Sequence, residues 1–163
     1  MISLILVCLY NTAGILQASV QSQNGITTQF APGTSINHEF DEELIDFLTG
    51  SNNTRGYSTY WVAYPITFKS GEEVILIPAL PYHSDLRHTV RDNRYPPYTK
   101  EVDLSKDPVY ITANNPSLDM YLNDAFNSLG VTWCEEKIGD YLVYYDMSRK
   151  VLPEEIGMGI DRP

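Results

Sequence analysis

Six consecutive apolar residues, Val74-Ile75-Leu76-Ile77-Pro78-Ala79, constrain this chain more than any other feature. A strand with one wet face alternates apolar and polar side chains. An unbroken apolar run of this length instead predicts a strand covered on both faces, inside a sheet sandwiched between helices. Residues 109–113 predict a second such strand. Helix signals surround these two. In residues 41–48, Asp41 is a cap, Glu42 and Glu43 suit the first turn, and Leu44, Ile45, Phe47 and Leu48 form a stripe that Gly50 ends. In residues 117–129, Leu118, Leu122, Phe126 and Leu129 recur at helical spacing ahead of Gly130. Residues 57–61 predict a short aromatic strand, and residues 62–69 a helix with Pro65 in its first turn. Residues 131–136 and 141–147 flank Lys137-Ile138-Gly139-Asp140 and predict a hairpin. Strands alternating with helices, then a hairpin, predict an α/β fold: a small mixed sheet with flanking helices and a C-terminal β-hairpin.

The charges divide the chain. No Asp, Glu, Lys or Arg precedes Glu39, and residues 1–16 are mostly apolar. Three readings fit that start: the end of a membrane span or an anchor, a signal peptide, or a buried element of the domain. A full span needs about 20 apolar residues, and Asn11 and Gly14 break this run. A signal peptide would carry a positive start, which is missing. Residues 17–37 are polar, small and without hydrophobic period, and read as a linker containing Gly25, Pro32 and Gly33. The folded domain is expected over residues 38–158, with 159–163 as a tail. The Asn52-Asn53-Thr54 triplet fits an exposed loop but recurs often by chance.

Composition removes several function classes. At 163 residues, with 43% hydrophobic residues and 12 tyrosines, the chain is neither a disordered tail nor a linker. Its two cysteines, Cys8 and Cys134, make no disulfide scaffold and no zinc module. A net charge of −10 opposes binding to nucleic acid, whose phosphates would repel it.

No GxSxG elbow, P-loop, HExxH or GxGxxG is present, and no catalytic residue, cofactor or metal site is assigned. His83, Asp85 and His88 match no ligand spacing and read as a solvated loop. Glu72-Glu73 reads as a charged turn and Glu154-Glu155 as solvated. Glu135-Glu136 lie adjacent on a strand and point to opposite faces. Cys134 reads as a packing residue. The most informative stretch is the expected loop over residues 82–100. Arg87, Arg91, Arg94 and Lys100 outnumber Asp85 and Asp92 there, within an acidic chain. Arg94-Tyr95-Pro96-Pro97-Tyr98 adds tyrosines. Arginine forks clamp phosphates and carboxylates, and tyrosines offer flat faces and hydroxyls to sugars. Arg87, Arg91, Arg94, Tyr95 and Tyr98 are therefore the candidate ligand-binding residues, for an anionic headgroup, a phosphate or a glycan. The plainer alternative is that these arginines pair with the domain's own carboxylates. Tyr57, Tyr60, Trp61 and Tyr64 read as core.

The order of motifs resembles a known family. Gly56-Tyr57-Ser58-Thr59-Tyr60-Trp61-Val62-Ala63-Tyr64, Thr67-Phe68-Lys69-Ser70-Gly71-Glu72, Arg94-Tyr95-Pro96-Pro97-Tyr98, Tyr141-Leu142-Val143-Tyr144-Tyr145 and Val151-Leu152-Pro153-Glu154-Glu155-Ile156-Gly157 follow one another here. The pattern is similar to the C-terminal extracytoplasmic domain of polytopic membrane glycosyltransferase-like proteins related to protein O-mannosyltransferases and the lipid A aminoarabinose transferase. It covers residues 41–157. The resemblance implies a membrane helix bundle that takes a sugar from a polyprenyl-phosphate donor, with its catalytic acid in an early loop that this sequence does not contain. It implies a membrane-associated domain on the extracytoplasmic face, without catalytic residues of its own. Its partners would be the parent's membrane-embedded catalytic helices, the membrane surface, and a glycan or phosphate-bearing ligand. A free-standing secreted ligand- or glycan-binding domain is the alternative.

Overall fold

The computed structural model describes residues 2–21, 36–83, 85–87 and 89–159. Its centre is a five-stranded mixed sheet in the order β2-β1-β3-β5-β4. β1 (Arg55–Ser58) runs parallel to both β2 (Ile75–Pro78) and β3 (Val109–Ala113). β5 (Tyr141–Tyr145) runs antiparallel to β3 and pairs in turn with β4 (Cys134–Ile138). The fold is thus α/β with a mixed sheet and a C-terminal hairpin.

β2 and β3 are buried at every position, as the unbroken apolar run of β2 requires, and the one polar residue of β3, Thr112, donates its hydroxyl to Asp119. Alternate residues of β3 enter two separate cores. Val109, Ile111 and Ala113 join Leu44, Ile45, Leu48, Val62, Ala63 and Ile66 of α2 (Asp41–Gly50) and α3 (Tyr60–Lys69). Tyr110 joins Val102 of α4 (Pro96–Leu104) and Leu118, Leu122 and Phe126 of α5 (Pro116–Ser128). The sheet is the middle of three layers. In β1, Gly56 lies so close to β3 that a Cβ would run into the carbonyl oxygen and Cγ2 of Val109.

One buried charge ties the first layer together. Asp41, without solvent exposure, accepts from Lys69 Nζ at 2.7 Å and from the Tyr141 hydroxyl, and lies 3.0 Å from His38 Nδ1. These contacts join α2, the end of α3 and the hairpin. A carboxylate is retained in such a place only when it is paired and hydrogen-bonded.

Local readings differ from the structure in identifiable ways. The strand expected over residues 57–61 ends at Ser58. Thr59 is extended and caps α3 through its carbonyl, which accepts from the N–H groups of Val62 and Ala63, so Tyr60 and Trp61 are helical. Pro65 consequently sits inside α3 and not in its first turn. The expected loop over residues 82–100 contains a short 3-10 turn, Val90–Asp92, and the start of α4. Pro96 and Pro97 open that helix, where a missing N–H costs nothing and the fixed φ suits the turn. Only Val102 is fully buried along α4, so no apolar stripe announces it. Cys134 is exposed on the edge strand and packs nothing into the core, which corrects its reading as a packing residue.

At the N-terminus, α1 (Ile2–Gln21) continues beyond the apolar run into the stretch expected to be linker. Its side chains at 5 and 7–17 are exposed. Among the described residues no helix is long and apolar enough to cross a membrane. Asn11, Thr12, Gly14 and Gln17 interrupt the run. Residues 22–35 of the expected linker lie outside the described residues, while Ile36 is already buried in the core.

Candidate functional site

A cleft of about 460 Å³ opens between α3 and α4, lined by Tyr64, Thr67, Phe68, Gly71, Glu72 and Tyr98. Three features of the chain build it. α3 sets Tyr64 and Phe68 one turn apart on the same face. Phe68 is 85% exposed, a large apolar ring left in solvent beside the cleft. α3 then ends in a Schellman motif: Gly71 N–H donates to the Phe68 carbonyl at 3.1 Å and Glu72 N–H to the Thr67 carbonyl at 2.9 Å. Gly71 adopts φ 62° and Glu72 φ 68°, so two left-handed residues in succession turn the chain into β2. Across the opening, the di-proline start of α4 places Tyr98.

Glu72 and Tyr98 meet at the centre. The Tyr98 hydroxyl donates to Glu72 Oε1 at 2.7 Å. That bond to a carboxylate favours the protonated phenol and, with burial, pushes Tyr98 up to about 12. The Tyr64 hydroxyl is committed elsewhere: it donates to the Asp92 carbonyl at 3.1 Å and accepts from the Arg94 N–H at 2.8 Å. Burial raises its ionisation above the ordinary tyrosine value, so it stays a neutral donor. Tyr64 therefore fastens the 92–94 segment beside β2 and presents its ring to the cleft. Thr67 is likewise occupied, its hydroxyl oxygen accepting from the Leu76 N–H at 3.0 Å on the edge strand β2.

The five candidate residues are only partly brought together. Tyr98 lines the cleft and Tyr95 packs edge-on against it, with ring centroids 4.6 Å apart and Tyr95 half exposed. Arg94 lies over the Tyr60 ring, 5.0 Å from its centroid, and adjoins the cleft through its backbone bond to Tyr64. Arg87 turns back to Asp85, Nε to Oδ2 3.7 Å, both well exposed, and does not line the cleft. Arg91 is exposed on the 3-10 turn and does not line it either. Of the aromatic residues read as core, Tyr57 is fully buried and Trp61, half-buried, packs against the core. Tyr60, Trp61, Tyr64 and Tyr82 form a half-buried chain of edge-to-face contacts at 5.2, 5.3 and 6.2 Å. Glu72, Phe68, Tyr64 and Thr67 were missed as site residues. The available signal was Gly71, a left-handed stop after an apolar helical segment, which fixes where Glu72 must turn.

Elsewhere the charged candidates are structural. Glu155 accepts from the Leu152 N–H and pairs with Arg149 at 2.8 Å, and the backbone bond first, then the guanidinium, hold its carboxyl below the usual range. Among the described residues no group of three or more His, Cys, Asp or Glu is placed to hold a metal. His88 of the candidate trio lies outside the described residues. No family model, curated protein or solved structure matches the chain.

Proposed function

We propose that this chain is a non-catalytic, extracytoplasmic domain of a membrane glycosyltransferase-like protein, and that it contacts a glycan through the cleft between α3 and α4. The observation that carries the reading is the lining of that cleft. Tyr64, Phe68 and Tyr98 offer ring surface, and Glu72 offers a carboxylate that can accept sugar hydroxyls. Rings paired with a few oriented polar groups are what a small polar ligand with an apolar face requires. The motif order from Gly56 to Gly157 supports the membrane glycosyltransferase-like parent, and the exposed apolar side chains of α1 support an anchor at a membrane surface. Tyr98 and Tyr95 remain binding residues in this reading, Arg94 positions the cleft's wall, and Arg87 and Arg91 lie outside it.

Binding of the chain to an array of immobilised glycans tests the proposal. Retention of one glycan class by the wild type, lost in Tyr98→Ala and kept in Arg87→Ala, is the expected pattern. A chain that binds no glycan, or whose binding depends on Arg87 and ignores Tyr98, contradicts it.

A further inference from the structure

We infer that the cleft selects a ligand group bearing a positive charge, an alkylated ammonium, and rejects phosphates. This rests on the reading of the cleft as a ligand site and names the chemistry that site takes. The lining holds three aromatic residues and one carboxylate, and no Lys or Arg. Three cations of the neighbouring elements are engaged: Lys69 with Asp41 at 2.7 Å, Arg55 with Glu101 at 3.0 Å, and Arg94 over Tyr60. The hydroxyls of Tyr64 and Tyr98 already donate, to the Asp92 carbonyl and to Glu72. An incoming group therefore meets aromatic rings and a carboxylate acceptor. A phosphate would face Glu72 without a counter-charge. An ammonium would be attracted by the carboxylate and by the electron-rich ring faces together. The net charge of −10 draws cations to the domain as a whole.

The backbone points the same way. Glu72 is a non-glycine residue at φ 68°, a conformation that glycine or asparagine adopts more readily. A strained residue that delivers a carboxylate to a cleft is a mark of a functional position.

Titration of the full chain with tetramethylammonium and, separately, with glucose tests the inference, followed by nuclear magnetic resonance. Tetramethylammonium should shift the signals of Tyr64, Phe68 and Tyr98. In Glu72→Gln, which keeps an acceptor for Tyr98, affinity should fall about tenfold, with an unchanged melting temperature showing that folding is intact. Shifts with glucose and none with tetramethylammonium overturn the cationic ligand and leave the glycan reading standing. Silence with both overturns both. Tetramethylammonium shifts that persist undiminished in Glu72→Gln assign the binding to the rings alone and overturn the role of the carboxylate.

Discussion

Glu72 and Tyr98 form the pair on which the site turns, and each has a measurable consequence. Left-handed backbone at a residue with a Cβ costs roughly 1 kcal/mol. Glu72→Gly is therefore expected to raise stability by up to about 1 kcal/mol in chemical denaturation, while removing ligand binding. A Glu72→Gly chain clearly less stable than the wild type would make the Tyr98 bond a structural fastening first. Tyr98 sets a pH dependence. Its value in the folded chain, about 12, lies above the 10.0 of an ordinary tyrosine, so the folded state keeps a proton that the unfolded state releases. The stabilisation is complete below pH 10 and is lost as pH rises through about 12. Tyr64, Tyr110, Tyr141, Tyr144 and Tyr145 are raised as well, so denaturation across that window should show a loss in the wild type that is smaller, not absent, in Tyr98→Phe. Half of this pair was legible in the sequence, because the tyrosines and arginines of residues 94–98 cluster along the chain. Glu72 was not, because it reaches Tyr98 only through the parallel connection of β1, α3 and β2, and a carboxylate in a turn reads as solvated.

Among the elements, those with an apolar pattern could be read and those without one could not. β2, β3, α2 and α5 match their expected positions within one or two residues because the strands are buried on both faces and the helices carry apolar stripes at helical spacing. α4 was invisible: its two prolines resemble a loop, and its short buried face leaves no stripe. The start of α3 was misplaced because Tyr60 and Trp61 suit a strand by propensity, while the capping carbonyl of Thr59 and the burial of Val62, Ala63 and Ile66 make a helix. The close approach of β1 and β3 gives the test at this scale. Gly56→Ala drives a methyl group into the Val109 backbone, where no flexible side chain can give way. A loss of about 3 kcal/mol is expected by denaturant titration. A loss under about 0.5 kcal/mol would contradict the packing of the two strands.

For the whole molecule, the three-layer fold sets the candidate cleft at one edge of the sheet. The hairpin forms the β5-β4 end of the sheet, and the aromatic cleft sits between α3 and α4 at the opposite, β2 edge. The charge surplus along residues 82–100 lies next to the cleft, but of its residues only Tyr98 lines it. The arginines of residues 87–94 turn to Asp85 and Tyr60 or stand outside, and an acidic side chain from another element occupies the opening. Mapping of a bound glycan on the full chain by nuclear magnetic resonance decides whether the cleft is the site. Shifts confined to residues 64–72 and 94–98 are expected. Shifts centred on the exposed β4 edge around Cys134, or on Arg87 and Arg91, would contradict that site.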